Sequence, residues 1–217
     1  MKKSGILLLA IAIVLSVETY SFAQAQTYAI GADIALKVDY LHFFDSSIKD
    51  AKADNGVFVG VEFYKQLLFP NFYLGVETGW GGTNGTVSGA FAGYSASVDT
   101  EIAYVPIELN ARYVIPVSQC LNFAIGGGIS ANWMYTDLTG NVLGVRSSIN
   151  DSEWLFGGQF FGELNYRPSK CWELGLDVKY QITTEEDFTY TFSGSTIGTL
   201  PLSGDNLRAG GHIRYLF

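Results

Sequence analysis

Apolar and polar residues alternate along this chain with a period of two, in eight separate runs. Successive side chains of a β-strand point to opposite faces, so each run predicts a strand with one oily and one wet face. The first run sets Tyr28, Ile30, Ala32, Ile34, Leu36, Val38 and Tyr40 against Asp33, Lys37 and Asp39. The second sets Val57, Val59, Val61 and Phe63 against Phe58, Gly60, Glu62 and Tyr64. The third sets Phe72, Leu74, Val76, Thr78 and Trp80 against Tyr73, Gly75 and Glu77. In the fourth, Ala103, Val105, Ile107, Leu109, Ala111 and Tyr113 oppose Tyr104, Glu108, Asn110 and Arg112. The fifth carries Leu121, Phe123, Ile125, Ile129, Trp133 and Tyr135, with Asn122, Ser130 and Asn132 between them. A less regular sixth has Trp154, Phe156, Phe160, Leu164 and Tyr166 against Gln159, Glu163 and Asn165. The seventh alternates Trp172, Leu174, Leu176, Val178, Tyr180 and Ile182 with Glu173, Asp177, Lys179 and Gln181. The last carries Leu207, Ala209, Gly211, Ile213, Tyr215 and Phe217 on one face, and Arg208, Gly210, His212 and Arg214 on the other. Leu216 is the only apolar residue on that second face.

The connections alternate in length. Short turns hold Pro70-Asn71, Pro116 to Gln119 and Pro168 to Lys170; long polar segments rich in glycine and serine fill 41–56, 81–100, 136–152 and 183–205. Stretches within two of these, Val87 to Val98 and Phe188 to Leu200, keep β-type residues, which predicts strands continuing as protruding hairpins able to pair with partner strands. An amphipathic strand at the end of a chain leaves an open edge that invites aggregation. A closed barrel has no edge, and an even number of strands places both termini at the short-turn end.

Charge and the amino-terminal segment narrow the class. Lys2 and Lys3 precede an apolar run from Ile6 to Val17, followed by the small-x-small sequence Ala23-Gln24-Ala25. This predicts a secretory signal peptide over residues 1–25 and a single domain over 26–217. The formal net charge of −8 becomes more negative when Lys2, Lys3 and Glu18 are removed, which argues against a nucleic-acid partner. No later stretch approaches the ~18 apolar residues of a spanning helix.

A soluble eight-stranded carrier also alternates, but its apolar row lines the interior. Here the polar rows mix charges of both signs with glycine, which suits a narrow lumen filled by ion pairs. Aromatics bracket the apolar rows: Tyr28, Tyr40, Phe72, Trp80, Trp133, Tyr166, Trp172, Tyr180, Tyr215 and Phe217. The eight residues from Trp172 to Tyr180 span roughly 27 Å of strand, or ~20 Å along the membrane normal at ~40° tilt. Such girdles belong at the two lipid interfaces. The helix that often accompanies a soluble carrier is missing from the pattern. The fold expected is all-β: an eight-stranded antiparallel up-and-down transmembrane β-barrel with short periplasmic turns and long extracellular loops.

Several segments carry a family resemblance. They are the Ala23-Gln24 signal end, Tyr104-Val105-Pro106-Ile107-Glu108-Leu109 with Arg112-Tyr113, the glycine-rich Ala124-Ile125-Gly126-Gly127-Gly128, and the terminal Arg214-Tyr215-Leu216-Phe217. In these the chain resembles the small outer-membrane β-barrel domain family (the OmpA/OmpX-like eight-stranded barrels), in a version typical of Bacteroidota. The resemblance implies a bacterial outer-membrane location, contact with membrane lipids and lipopolysaccharide, and recognition of the carboxy-terminal strand by the barrel-insertion machinery. With no globular domain expected after the last strand, it does not imply peptidoglycan anchoring.

The residues that could carry chemistry lie mostly on the wet faces. Asp33, Lys37, Asp39, Glu62, Glu77, Glu108, Arg112, Glu163, Glu173, Asp177, Lys179, Arg208, His212 and Arg214 form a candidate lumen network, with Asp33 and Asp39 expected to face Arg208 and Arg214 across the closing seam. Mutual neutralisation in a packed interior is the plain reading, an ion path the sharper one. Of the two histidines, His212 reads as a lumen hydrogen-bond partner. His42, beside Phe43, Phe44 and Asp45, reads as an amphipathic rim residue rather than a catalytic base. Cys120 and Cys171 both abut proline-bearing turns; a disulfide is one reading, although two strand spacings of roughly 9–10 Å exceed the usual reach. No cofactor or metal site is expected. The function expected is a structural, adhesion or surface-recognition role with a filled lumen, the long loops being where a surface ligand would bind. A narrow porin is the alternative, and a lipid or peptide hydrolase ranks behind both.

Overall fold

A computed structural model describes residues 31–67, 69–91, 94–142, 145–192 and 195–217. Tyr28 and the expected signal peptide lie outside them. Eight strands close into one antiparallel ring: β1 (Ala32–Phe43), β2 (Asn55–Gln66), β3 (Phe72–Phe91), β4 (Tyr94–Pro116), β5 (Leu121–Val142), β6 (Val145–Tyr166), β7 (Trp172–Thr183) and β10 (Asn206–Leu216). Between β7 and β10, β8 (Glu185–Phe192) and β9 (Ser195–Ser203) pair as a separate two-stranded sheet. One short helix, α1 (Ser46–Asp50), sits between β1 and β2 and starts where the Asp45 carboxylate accepts hydrogen bonds from the Ser47 and Ile48 amides.

Alternation decides which way the barrel faces. Along β1, Leu36, Val38 and Tyr40 are more than half exposed, while Asp33, Lys37 and Asp39 are buried. A water-soluble barrel would show the reverse. The ring closes where β1 meets β10 in the register Asp33↔Leu216 to Phe43↔Asn206, with the Gly31 amide bonded to the Phe217 carbonyl at 3.2 Å. Both ends of the described chain and the three short turns share one end of the barrel. Asn71 takes a left-handed φ of 64° in the first of these turns, a conformation that asparagine tolerates. Pro106 lies within β4; the carbonyl of this residue, which has no N–H to give the ladder, accepts the Thr78 hydroxyl at 2.8 Å.

Much of what reads as loop in the sequence is strand. β3 to β6 run some twenty residues each, and their hairpins carry the ladder past the barrel rim. The β2–β3 pairing stops at Gly56↔Thr83, and the β6–β7 pairing begins at Gly157↔Thr183. Beyond these limits β3–β4–β5–β6 stand as a four-stranded sheet. Alternation there continues, but the glycine, serine and threonine that replace the oily row disguise it.

Candidate functional site

The wet faces converge on a lumen that is filled from end to end. Nearest the short turns, Arg214 is 1% exposed and meets four carboxylates: Glu62 at 2.5 Å, Glu173 at 2.8 Å, Glu163 at 3.0 Å and Asp33 at 3.2 Å. Arg112 shares Asp33 at 2.5 Å and lies 3.7 Å from Glu163, with its guanidinium 3.9 Å from the Tyr64 ring centre. Arg167 and Asn122 hold the remaining oxygen of Glu173, at 3.1 and 2.8 Å.

A second layer lies further in. Glu62, Glu77 and Glu108 are register neighbours on β2, β3 and β4, so three carboxylates line one wall. Like charges side by side are unfavourable unless cations face them. Lys179 of β7 meets Glu77, and Glu108 at 2.6 Å; Arg208 of β10 meets Glu108, and Glu77 at 3.1 Å. Lys37 contacts Asp177 at 2.8 Å, Asp39 at 3.4 Å and Glu77 at 3.6 Å, and His212 Nδ1 lies 3.3 Å from Asp177. Gly175 opposite His212 leaves space for the ring: a Cβ there would stand 2.2 Å from His212 Nε2.

One expected pairing is different. Asp33 meets Arg214, but Asp39 does not meet Arg208. The register sets Asp39 against Gly210 and Arg208 against Leu41, so Arg208 reaches across the lumen to Glu77 and Glu108 while Asp39 turns to Lys37. The stagger of a closed barrel, which alternation does not encode, sets that choice.

Above the ions, the Tyr104 hydroxyl donates to Asn132 at 2.8 Å, and the Gln181 amide donates to Ser130 at 2.6 Å. The inner face then becomes oily. Leu41, Phe43, Phe58, Ile102, Tyr104, Met134 and Leu155 of the barrel pack with Ile48 of α1 and with Phe188, Tyr190 and Leu202 of β8 and β9. This apolar plug closes the mouth at the end opposite the short turns. Burial raises the Tyr190 phenol above the ordinary tyrosine range, and the Asp151 carboxylate adds to that shift, while a hydrogen bond with Thr136 opposes it. Phe58 and Tyr104 stand on the wet rows in the sequence, a sign that those rows change character near one end; the β-type stretch from Phe188 to Leu200 predicts a protruding hairpin, but not that Phe188, Tyr190 and Leu202 pack back into the mouth.

The protruding sheet has two unlike edges. On the β6 side, β8 stands alongside, joined through Asp151, whose carboxylate accepts the Thr189 amide at 2.5 Å. On the β3 side, Asn84 to Gly89 make no backbone hydrogen bond away from β4 among the described residues. Next to that open edge, a cavity of about 470 Å³ is lined by Lys52, Asn84, Gly85, Thr86, Asp99, Thr100, Glu101, Asp137 and Thr139. Asn84, Glu101 and Asp137 are register neighbours across β3, β4 and β5, and Thr86, Asp99 and Thr139 form the next such row.

The sequence model of the outer membrane protein beta-barrel domain matches residues 7–199 of the chain. The chain belongs to the outer membrane β-barrel domain family. Solved barrels share its fold at low identity. Neisserial surface protein A is 10% identical, with 86% of this chain and 97% of that one covered at a TM-score of 0.55. OprG from Pseudomonas aeruginosa is 13% identical, with coverage of 88% and 98% and a TM-score of 0.56. A major outer membrane protein from Thermus thermophilus is 13% identical, with 86% and 99% covered and a TM-score of 0.53. No curated protein matches the chain.

As an outer-membrane barrel, the protein sits in the bacterial outer membrane with its oily face against lipid. The aromatic residues of that face gather in two belts. Phe72, Tyr166, Trp172, Tyr215 and Phe217 cluster at the short-turn end, where Trp172 and Tyr215, and Tyr215 and Phe217, meet with ring centres 5.1 Å apart. Tyr40, Trp80, Trp133 and Tyr180 lie towards the other end. His42 belongs to the outer belt, stacked on Tyr40 and edge-on to Phe44, with Nδ1 3.0 Å from Asn55 and 3.4 Å from Asp54. In this barrel Cys120 and Cys171 are both free and exposed, so the disulfide reading is not met. The Cys120 carbonyl accepts from the Arg167 amide after β6, and that of Cys171 accepts from the Leu216 amide on β10.

Proposed function

We propose that this protein is a non-conducting outer-membrane barrel that acts at the cell surface, through structure and recognition, by means of the sheet and hairpin it raises above the lipid. The observation that supports this reading is the double closure of the lumen. Buried cations and carboxylates fill its length, and the apolar plug of Phe43, Phe58, Met134, Leu155 and Phe188 covers its outer mouth. An ion would have to break buried pairs that cost several kcal/mol each to separate, and then cross a dry plug. In this reading the long hairpins are the working surface, lipopolysaccharide surrounds the outer aromatic belt, and the strand ending in Tyr215 and Phe217 is the signal read by the insertion machinery. Planar-bilayer recording tests it: purified protein, folded as judged by heat-modifiable migration on gels, gives no stable single channels. Reproducible unitary conductance from the folded protein would replace this reading with the porin.

A further inference from the structure

The lumen does not balance its own charge. Among the described residues it buries eight carboxylates against five lysines and arginines. Counting Arg167 at the rim and a charged His212 raises the positive groups to seven, still one short. A net charge shut away from water is expensive, and a buried carboxyl group neutralises rather than carry it. Asp39 is the group left over. It is 1% exposed and neither of its oxygens accepts a hydrogen bond, which holds for no other buried carboxylate among the described residues. Its one cation within 4.0 Å is Lys37, at 3.4 Å, and that ammonium is bonded to Asp177 at 2.8 Å and also faces Glu77 at 3.6 Å. Arg208 is taken up by Glu77 and Glu108. We infer that the lumen encloses a proton on the Asp39 carboxyl group, and that this proton keeps the floor of the apolar plug dry.

The surroundings suit a proton better than a metal ion. No cluster of His, Cys, Asp and Glu able to ligate a metal occurs among the described residues. Gly210 of β10 faces Asp39 so closely that a Cβ there would stand 2.4 Å from Oδ1, while a proton needs no coordination shell. The neighbours of Asp39 also fix what its charge would do. Lys37 shares its strand, Glu77 of β3 and Asp177 of β7 lie nearby, Arg208 and His212 flank the opposed Gly210 on β10, and β2 sets the uncharged Phe58 against it. Phe58, and Leu41 two residues further along β1, belong to the plug. Ionised, Asp39 would add a third negative charge beside Glu77 and Asp177 and would demand water at that floor. Protonated, it leaves Lys37 to those two carboxylates and presents an O–H donor to them.

The test uses the full protein in nanodiscs at pH 7. In the infrared a protonated carboxyl group gives a C=O band apart from those of carboxylates and amides. The parent is expected to show one such band, shifted by carbon-13 labelling of aspartate and lost in Asp39→Asn. Because the amide has the shape of a neutral acid, Asp39→Asn should keep the parent's urea midpoint in lipid vesicles, whereas Glu62→Gln, at a carboxylate paired with Arg214, lowers it. Raising the pH until the band disappears should lower the midpoint of the parent further than that of Asp39→Asn. Absence of the band from the folded parent, or a band that survives in Asp39→Asn, overturns the assignment of the proton. So does an Asp39→Asn chain that loses heat-modifiable migration, because the amide would then be replacing a charge on which the fold depends. Midpoints that fall equally with pH in parent and variant overturn the link between this proton and the plug.

Discussion

Replacing Arg214 by methionine tests how the lumen is held together. Methionine keeps much of the apolar stem and removes only the guanidinium, which bonds Glu62, Glu163, Glu173 and Asp33. The four carboxylates do not suffer equally. Asp33 keeps Arg112 at 2.5 Å, Glu163 keeps Arg112 at 3.7 Å and Glu173 keeps Arg167 at 3.1 Å. Glu62, 3% exposed, has its one ion pair among the described residues with Arg214. Leaving one buried charge unpaired costs about 3–5 kcal/mol, so most of the loss falls on Glu62. Arg214→Met is therefore expected to destabilise the barrel by about 3–5 kcal/mol. Adding Glu62→Gln to that variant should restore about 1–3 kcal/mol, although Glu62→Gln alone destabilises the parent. Urea titrations in lipid vesicles, followed by tryptophan fluorescence, measure all four corners of the cycle. A loss below about 1 kcal/mol for Arg214→Met, or the same cost for Glu62→Gln in both backgrounds, would refute the view that Arg214 exists to neutralise Glu62.

Phe188→Ala removes the largest apolar side chain that β8 gives the plug, at a cost of about 3–5 kcal/mol. The loss should fall on hairpin docking, seen as faster proteolysis between Glu185 and Ser203 with the barrel's own urea midpoint unmoved. Gly175→Ala pushes a methyl to within 2.2 Å of His212 Nε2 and Asn165 Oδ1, and should cost about 1–3 kcal/mol in the same titration, with Gly162→Ala, whose nearest neighbour is 3.7 Å away, as a milder control. Both cysteines should react with maleimide without prior reduction, read as a mass increase of two labels; no labelling before reduction would restore the disulfide. Because burial raises the Tyr190 phenol, the neutral form favours the docked hairpin. That stability is complete below the unfolded tyrosine value of ~10 and is lost as pH climbs through the higher folded value, so alkaline proteolysis of the hairpin should accelerate in the parent and not in Tyr190→Phe.

The barrel itself was legible because lipid and lumen impose opposite chemistries on alternate residues. Leu36, Val38 and Lys37 could be assigned faces from parity alone. The protruding sheet was harder to see, because water bathes it and nothing forces an oily row: Val87 and Val98 hinted at it, while Ser88, Gly89 and Ser97 concealed it. The helix α1 is too short for periodicity to register; its signal was the cap at Asp45 before Ser46-Ser47. Which ions meet was the least legible feature. Parity places Asp39 and Arg208 in the lumen, but a stagger between β1 and β10 decides that Asp39 finds Lys37 on its own strand while Arg208 crosses to Glu77.

The strand that supplies Arg208 and Arg214 is the last to be synthesised, and this orders events in assembly. Glu62 enters the nascent sheet with β2, long before β10 brings Arg214, its one ion partner among the described residues; Glu77 and Glu108 meet Lys179 of β7 but still wait for Arg208. An intermediate lacking β10 would carry an uncompensated Glu62 and an excess of carboxylates on the face about to become its interior, and would gain little by closing around them. Closure of the seam and neutralisation of the lumen thus become one event. A chain shortened by its final strand should stall as an open, water-filled sheet rather than settle into a smaller barrel.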